Sequence, residues 1–255
     1  MNKKITVRTL AFCFLSIAII SGCKKEVAGP TGATGSAGPS LTGTINGHIY
    51  LYDQYGNPML TGLTGIHDSI DGTSHVALTD STGMYMFSNL STGIYNFSIM
   101  DPNFGTMKVQ SQQFVGGGTL VRNVNLSQIP NFTVTSLTAV ASSTNIVLTG
   151  TVVADTHVRT FIGFVGATSG TSSSPSTYLD YYTKNVPANA TTFTITVDNT
   201  ALYDLGLTST TTAYFSVYGA AAGYNSTSTY EDMATGRTVF NAISANPAIA
   251  NAVVQ

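Results

Sequence analysis

The chain has 255 residues, of which 10 are Lys or Arg and 12 are Asp or Glu, for a net charge of −2. Without a basic excess it is not built to grip nucleic acid. With 9% charged and 43% hydrophobic residues it also lacks the charge-rich, apolar-poor composition of a disordered chain.

Lys3, Lys4 and Arg8 form a basic start, and Leu10 to Ile20 (LAFCFLSIAII) is an apolar run of 11 residues. A membrane-spanning helix needs about 20, so the run reads as the core of an export signal. Ser21 and Gly22 follow, then Cys23. The string Ile20-Ser21-Gly22-Cys23 resembles the lipobox of bacterial lipoproteins. That resemblance implies removal of residues 1–22 by cleavage between Gly22 and Cys23, and attachment of a lipid to the Cys23 sulfur. Cys13 would leave with the signal, so Cys23 would be the sole remaining cysteine, with no internal disulfide. The remaining chain would carry 7 basic and 12 acidic residues. The implied destination is the cell envelope, as an outer-membrane lipoprotein. Lys24-Lys25-Glu26 resembles a signal that sends some such proteins to the cell surface.

Gly29, Gly32, Gly35 and Gly38 recur every third residue, as in collagen, but Leu41 occupies the next place. A triple helix tolerates no such break. Residues 23–41 therefore read as a lipidated cysteine and a flexible tether, able to span about 55–60 Å when extended.

From Thr42 the period becomes two. Ile45, Gly47, Ile49 and Leu51 share one face of a strand, and Asn46, His48, Tyr50 and Tyr52 the other. DQYGNP, Asp53 to Pro58, is a turn, and Leu63 and Ile66 lie in the next apolar run. His75 to Thr79 is a strand, Asp80 to Gly83 a tight turn, MYMFSNL an alternating strand, Ser91 to Gly93 a second turn, and IYNFSIM another strand. Gly83 and Gly93 are expected to take positive φ, and Asp80 to cap its turn through its carboxylate. Tyr85 and Phe87 share a face, as do Tyr95 and Phe97, and both pairs are expected in the core. VGGGT, Val115 to Thr119, turns the chain into LVRNVNL, a last alternating strand. Thr79 to Phe97, with GTINGHIYLYDQYGNPMLTGLTGI upstream, resembles the carboxypeptidase regulatory-like domain. The resemblance covers 42–128 and implies a seven-stranded, transthyretin-like β-sandwich that is a non-catalytic module. DPNFG, Asp101 to Gly105, departs from the family's Gly-Tyr loop pattern.

Residues 129–255 read as a second sandwich, immunoglobulin- or fibronectin III-like. Its seven expected strands are NFTVTSLTAV, NIVLTGTVVA, VRTFIGFVGA, STYLDYYT, TFTITVD, TAYFSVYGAAA and, closing the set, ATGRTVFNAI. Ala213 stands where the fibronectin III corner tyrosine would be. The expected fold class is thus all-β, two antiparallel sandwiches in tandem after a signal peptide and a Gly-rich linker.

No catalytic constellation emerges. Past Glu26 there is one glutamate, Glu231, whereas paired-carboxylate chemistry needs two placed acids. HExxH and GxSxG are absent, and no thiol remains beyond Cys23. VGGGT lacks the lysine and helix of a phosphate loop. No cofactor is expected. His48, His67, His75 and His157 have no one-element ligand spacing, although His67 and His75 could meet across a hairpin. Asp68, Asp71 and Asp80 could approach calcium, but the better reading is turn-forming aspartates, and no metal site is assigned. Tyr178, Tyr181 and Tyr182, with Tyr224 and Tyr230, fall in expected loops and edges. The first three are the candidates for stacking on a sugar, set against packing in edge strands and core. Asp68-Ser69-Ile70 and Asp80-Ser81-Thr82 resemble short O-glycosylation tripeptides of exported Bacteroidetes proteins. The sequence therefore points to a non-enzymatic binding or structural protein held to a membrane, with a protein or glycan ligand; the alternative is a carbohydrate-binding accessory of a glycan-uptake system.

Overall fold

A computed structural model of the protein describes residues 38, 40–222 and 229–255. The expected signal, the Gly22–Cys23 cleavage site, the lipidated Cys23, nearly all of the Gly-rich tether, and Tyr224 lie outside the described residues. The fold is all-β.

The first sandwich comprises β1 (Thr42–Tyr52), β2 (Pro58–Met59), β3 (His67–Ile70), β4 (Val76–Leu78), β5 (Met84–Ser91), β6 (Gly93–Met100), β7 (Met107–Phe114), β8 (Thr119–Val121) and β9 (Val124–Ser127). β1 begins where the Gly triplets stop. It is the centre of one sheet: β5 and β2 pair with it antiparallel, and β8 and β9 pair with it parallel. The second sheet runs β4-β3-β6-β7, all antiparallel. Ile45, Ile49, Leu51, Tyr85 and Phe87 from one sheet pack on Ile66, Ile70, Phe97 and Ile99 from the other, and Tyr95 is half-buried beside them. Each fully buried side chain of this size contributes about 1.5–3 kcal/mol.

Several expectations are corrected here. The expected single strand LVRNVNL is two short strands, broken at Arg122 and Asn123, and it runs parallel to β1, so this sandwich is not wholly antiparallel. Gly93 does not take positive φ. It opens β6 opposite Phe114, and the left-handed residue near this bend is Asn89, φ 58°, where β5 slips against β1 between Gly43 and Ile45. Asn is among the few side chains that tolerate this region. β3 was hidden because its inward position holds a charge: in His67-Asp68-Ser69-Ile70, Asp68 and Ile70 are both buried. Asp68 is thus a strand residue and not a turn former.

Asp68 meets Arg122 in the middle of the sandwich. Gly47 lies on the inner face of β1, and a Cβ there would come within 1.8 Å of the Arg122 carbonyl oxygen. The missing side chain lets the backbone at Arg122 approach, its N–H donating to the Asn46 carbonyl at 2.7 Å. The Arg122 side chain then turns inward and is 6% exposed. Its Nη2 donates to Asp68 Oδ2, its Nε donates to the Tyr85 hydroxyl at 2.8 Å, and that hydroxyl donates back to the Arg122 carbonyl at 2.6 Å. The guanidinium lies 3.7 Å from the Phe97 ring centre, a cation–π contact out of water. One ion pair therefore ties the sheet holding Arg122 and Tyr85 to the sheet holding Asp68 and Phe97.

The second sandwich comprises β10 (Val134–Ala141), β11 (Asn145–Val152), β12 (Arg159–Gly166), β13 (Asp180–Val186), β14 (Thr192–Asp198), β15 (Thr212–Ala220) and β18 (Ala248–Val253). The short helix α1 (Asn199–Asp204) follows β14, and the hairpin strands β16 (Thr229–Asp232) and β17 (Arg237–Phe240) precede β18. The sheet β10-β11-β14 faces the sheet β13-β12-β15-β18, all antiparallel. Ile146, Leu148, Phe161, Phe193, Ile195, Phe215 and Val217 form the core between them. Here too the strand list is corrected. ATGRTVFNAI does not close the sandwich as a strand: β17 pairs with β16 as a hairpin, Ile243 makes a single bridge to Ala220, and β18 closes it. β18 (AIANAV) was missed because its inward positions are small, half-buried alanines. STYLDYYT starts its strand at Asp180, after a loop that holds Tyr178 and Leu179.

β12 is buried at all eight positions. Phe161 and Val165 face the inner core, whereas Ile162 and Phe164 face outward and are covered by Tyr178, Tyr218 and Phe240. This extra layer over the outer face explains the continuous apolar run VRTFIGFVGA, since a strand buried on both faces does not alternate.

The ion pair yields a stability prediction. Arg122→Met strands a buried carboxylate and should cost about 3–5 kcal/mol at neutral pH, whereas Asp68→Leu with Arg122→Met should be near-neutral or stabilising. Chemical denaturation of the three chains measures both. Burial pushes the Asp68 carboxyl up to about 7, against the pull of the Arg122 charge and hydrogen bond. The pair is therefore fully ionised only above about pH 7; below it the native chain keeps a proton that the unfolded chain releases from about pH 4 upward, so unfolding free energy should fall as pH rises from about 4 to 7. Asp68→Asn should flatten that slope.

Candidate functional site

The three candidate stacking tyrosines do not form a platform. Tyr178 is 2% exposed, its ring 4.9 Å from Phe164, its hydroxyl donating to the Thr238 carbonyl at 2.5 Å. Burial pushes that hydroxyl up to about 12. Tyr181 packs edge-on against Phe240 in the outer layer at 4.7 Å, while Tyr182 packs against the inner core. As neighbours on one strand they point to opposite faces. Their exposure was expected because the sequence does not show the hairpin that covers them. Tyr230 is half-buried on β16.

The other candidates are also placed. Gly83 has φ +85°, and Asp80 Oδ1 accepts from the Thr82 N–H at 2.8 Å, the Thr82 hydroxyl at 2.7 Å and the Met84 N–H at 3.1 Å. Those bonds hold the Asp80 carboxyl below its ordinary range, the Thr82 hydroxyl contributing most. His67 pairs with Leu78, and His75 is exposed beyond the other end of the same hairpin, so the two do not meet. Asp71 accepts from the Ser98 hydroxyl at 2.7 Å. Among the described residues no three His, Cys, Asp or Glu side chains gather as a metal site. Of the two serine tripeptides, Ser69 donates to the Ser98 carbonyl inside a sheet, whereas Ser81 is exposed on a turn.

The structure brings together a different group, where the two sandwiches meet. The turn after β1 carries Gln54 and Tyr55. Asp53 Oδ1 shapes it by accepting from the N–H groups of Tyr55 and Asn57, at 2.9 and 2.8 Å. The Tyr55 ring stacks on His157 at 4.1 Å and lies 6.2 Å from Phe132, and its hydroxyl donates to Asp155 Oδ2 at 2.9 Å. Asp155 Oδ1 also takes the His157 N–H at 2.8 Å. Gln54 accepts from the N–H of Asn131 through its side chain and from that of Ala222 through its carbonyl. At a second contact, Gly105 approaches so closely that a Cβ would meet the Asn241 carbonyl oxygen at 1.9 Å.

A cleft of about 360 Å³ opens here, lined by Asn131, Phe132, Thr133, Asp155 and Arg159 among others. Arg159 is 1% exposed and donates to the carbonyls of Val153 and Ala190, fixing the cleft wall. The His157 backbone and ring nitrogens, with Tyr55, bring the Asp155 carboxyl down to about 2. Tyr55 is raised by burial first and by its bond to Asp155 second. In the sequence, Tyr55 is one residue of the DQYGNP turn. The available signal was a lone aromatic among Asp, Gln, Gly, Asn and Pro.

A depressed carboxyl adds stability above its ordinary range that is lost as pH falls through about 2. Tyr55→Phe, which removes only the bond to Asp155, should cost about 0.5–1.5 kcal/mol by chemical denaturation. Tyr55→Ala also removes the stack and should speed limited proteolysis of the 128–133 junction several-fold.

No family model matches the chain, and no curated protein matches it. Solved structures similar to it include a candidate carbohydrate binding protein from Bacteroides uniformis, at 17% identity, covering 82% of this chain and 98% of that one, with TM-score 0.31. A DUF3823 family protein from Bacteroides ovatus is 15% identical over 83% of this chain and 98% of that one, TM-score 0.31. A type II cohesin–X-dockerin complex from Acetivibrio cellulolyticus is matched at 20% identity over 33% of this chain, TM-score 0.29; the chain spans 57% of that chain's length. At these TM-scores the likenesses carry no argument about family, ligand or partner.

Proposed function

We propose that the chain is an exported, non-enzymatic binding or structural lipoprotein of the outer membrane, anchored through Cys23 and presenting two coupled β-sandwiches on a short tether. In this reading the first sandwich is the carboxypeptidase regulatory-like module that Thr79 to Phe97 resembles. The observation that carries the non-enzymatic reading is where the perturbed groups lie. Shifted pKa values mark active sites when they gather in a cleft facing substrate. Here Asp68 is paired inside a core, Asp53, Asp80 and Asp232 are bonded within turns, and Asp155 is bonded to Tyr55 and His157. Burial raises Asp68 against the pull of Arg122, and hydrogen bonds within the fold lower the other four. The start of β1 at Thr42, directly after the Gly triplets, supports the tether reading.

A second reading, capture of a glycan, is favoured by the junction cleft, which combines an aromatic wall with polar groups, the usual make-up of a small-ligand site. Glycan-array binding that is lost in Asn131→Ala, with thermal stability kept, is the result this reading expects. Binding to no glycan removes it.

The anchor is tested separately. Cys23→Ser should abolish metabolic lipid labelling and move the protein to the soluble fraction. A variant that stays labelled and membrane-bound overturns the lipobox reading.

A further inference from the structure

The end of the first sandwich at which the tether joins is bare of charge. Three segments meet there: the chain entering β1, the turn between β5 and β6, and the VGGG loop between β7 and β8. Thr92 stitches them, its N–H donating to the Leu41 carbonyl at 3.1 Å and its hydroxyl to the Val115 carbonyl at 2.6 Å. The Gly117 N–H donates to the Thr42 carbonyl at 3.0 Å. Gly116 and Gly117, at φ +69° and +71°, let the loop fold against this start: a Cβ at Gly116 would meet the Leu41 carbonyl oxygen at 2.4 Å. No Lys, Arg, Asp or Glu occurs in 27–52, 89–100 or 109–121. The carboxylate next along the sheet, Asp71, sits level with Asn96 and accepts from the Ser98 hydroxyl, set back from this end.

Large apolar side chains stand out from the same end. Leu41, Ile94 and Val115 are 55%, 71% and 67% exposed. Ile94 pairs with Gln113 across β6 and β7, two residues before Val115. Leu41 leans over the loop, its Cδ1 3.6 Å from where a Cβ on Gly117 would stand. Beside them opens a recess of about 240 Å³, walled by Phe114, Val115, Leu120 and loop glycines among others. The polar side chains between them, Thr42, Thr92 and Gln113, are uncharged. Apolar side chains mixed with uncharged polar ones suit the headgroup level of a bilayer.

What this end faces follows from where the chain leaves it. Residues 24–41 join Cys23 to β1, and a Gly-rich spacer of that length has a mean span of about 20–25 Å. An anchor at Cys23 thus keeps this end close to lipid. Tyr55 and the junction lie past the other end of the 11-residue β1, so the second sandwich sits on the far side. Three side chains are too few for a stable protein interface, which buries about 800 Å² on each partner. They suffice at a surface to which the chain is already tied, because high local concentration replaces independent affinity. For a chain of net negative charge, an uncharged end is also the one that an anionic surface does not repel. We propose that this end is a lipid-contacting pole, with Leu41, Ile94 and Val115 set into the bilayer surface and the second sandwich held away from it.

The proposal rests on the Cys23 anchor, and the experiment separates the two. The full chain carrying Val115→Cys, made in a bacterium that processes lipoproteins, is labelled at the new thiol with a fluorophore; an acylated Cys23 does not react. It is then placed in phosphatidylcholine vesicles carrying a nitroxide lipid. Loss of emission relative to nitroxide-free vesicles is expected there and in Ile94→Cys, but not in Val140→Cys, on an exposed position of the second sandwich. Leu41→Asp added to Val115→Cys should reduce the quenching while the protein stays on the vesicles. Vesicle-held protein whose quenching is absent at Ile94→Cys or Val115→Cys, equal at all three positions, or undiminished by Leu41→Asp overturns the pole and leaves the anchor reading intact. Protein that does not stay on the vesicles overturns the anchor reading, and the pole with it.

Discussion

The first sandwich is organised around a gap. Gly47 supplies no side chain where β1 passes the break between β8 and β9, so the backbone at Arg122 fits against it and sends its guanidinium into the core. The polar cluster at the centre of this sandwich follows from that placement: Asp68 on the opposite sheet, the Tyr85 hydroxyl exchanging bonds with Arg122, and the Phe97 ring under the charge. A buried ion pair is weak evidence for stability by itself, because desolvation opposes the attraction. What it provides here is register. An apolar core would accept β3 slipped by two residues, whereas Asp68 must lie opposite Arg122.

The second sandwich solves a different problem. Among the described residues it has no such pair, and its buried arginine, Arg159, donates to two carbonyls. Its distinguishing feature is the extra layer over β12 and β15, built by Tyr178 and the β16–β17 hairpin. Tyr55 reaches from the first sandwich to bond and stack at the base of the second, and Gly105 lets a second loop close against Asn241. Two modules that could have hung loosely in series are thereby held at a defined junction, beside a cleft walled by Asn131, Phe132, Thr133, Asp155 and Arg159 of the second sandwich.

Much of this architecture was legible and some was not, for physical reasons. Strands with one face in the core, such as β1 and β5, declare themselves by alternation, and turns such as Asp80 to Gly83 by their chemistry. β3 did not, because Asp68 breaks the apolar pattern, and its partner lies 54 residues away. β18 did not, because Ala248, Ala250 and Ala252 are small enough to pass for linker. The tyrosine candidates misled for the converse reason: Tyr178 looks like a loop residue until a hairpin distant in sequence covers it. At the junction, Tyr55 and Asp155 are 100 residues apart, and no local pattern joins them.

The proposed role of two coupled sandwiches rests on each one closing around its own core and on the contacts that Tyr55 and Gly105 make between them. That description depends on the first sandwich closing as it does around Gly47. The most direct measurement is the unfolding free energy of Gly47→Ala. The added Cβ would overlap the Arg122 carbonyl oxygen, so a loss of about 2–3 kcal/mol or more is expected, the upper part of the range for overpacking a filled core, together with loss of hydrogen-exchange protection at the Arg122 amide. Stability and protection equal to those of the parent chain would contradict the account.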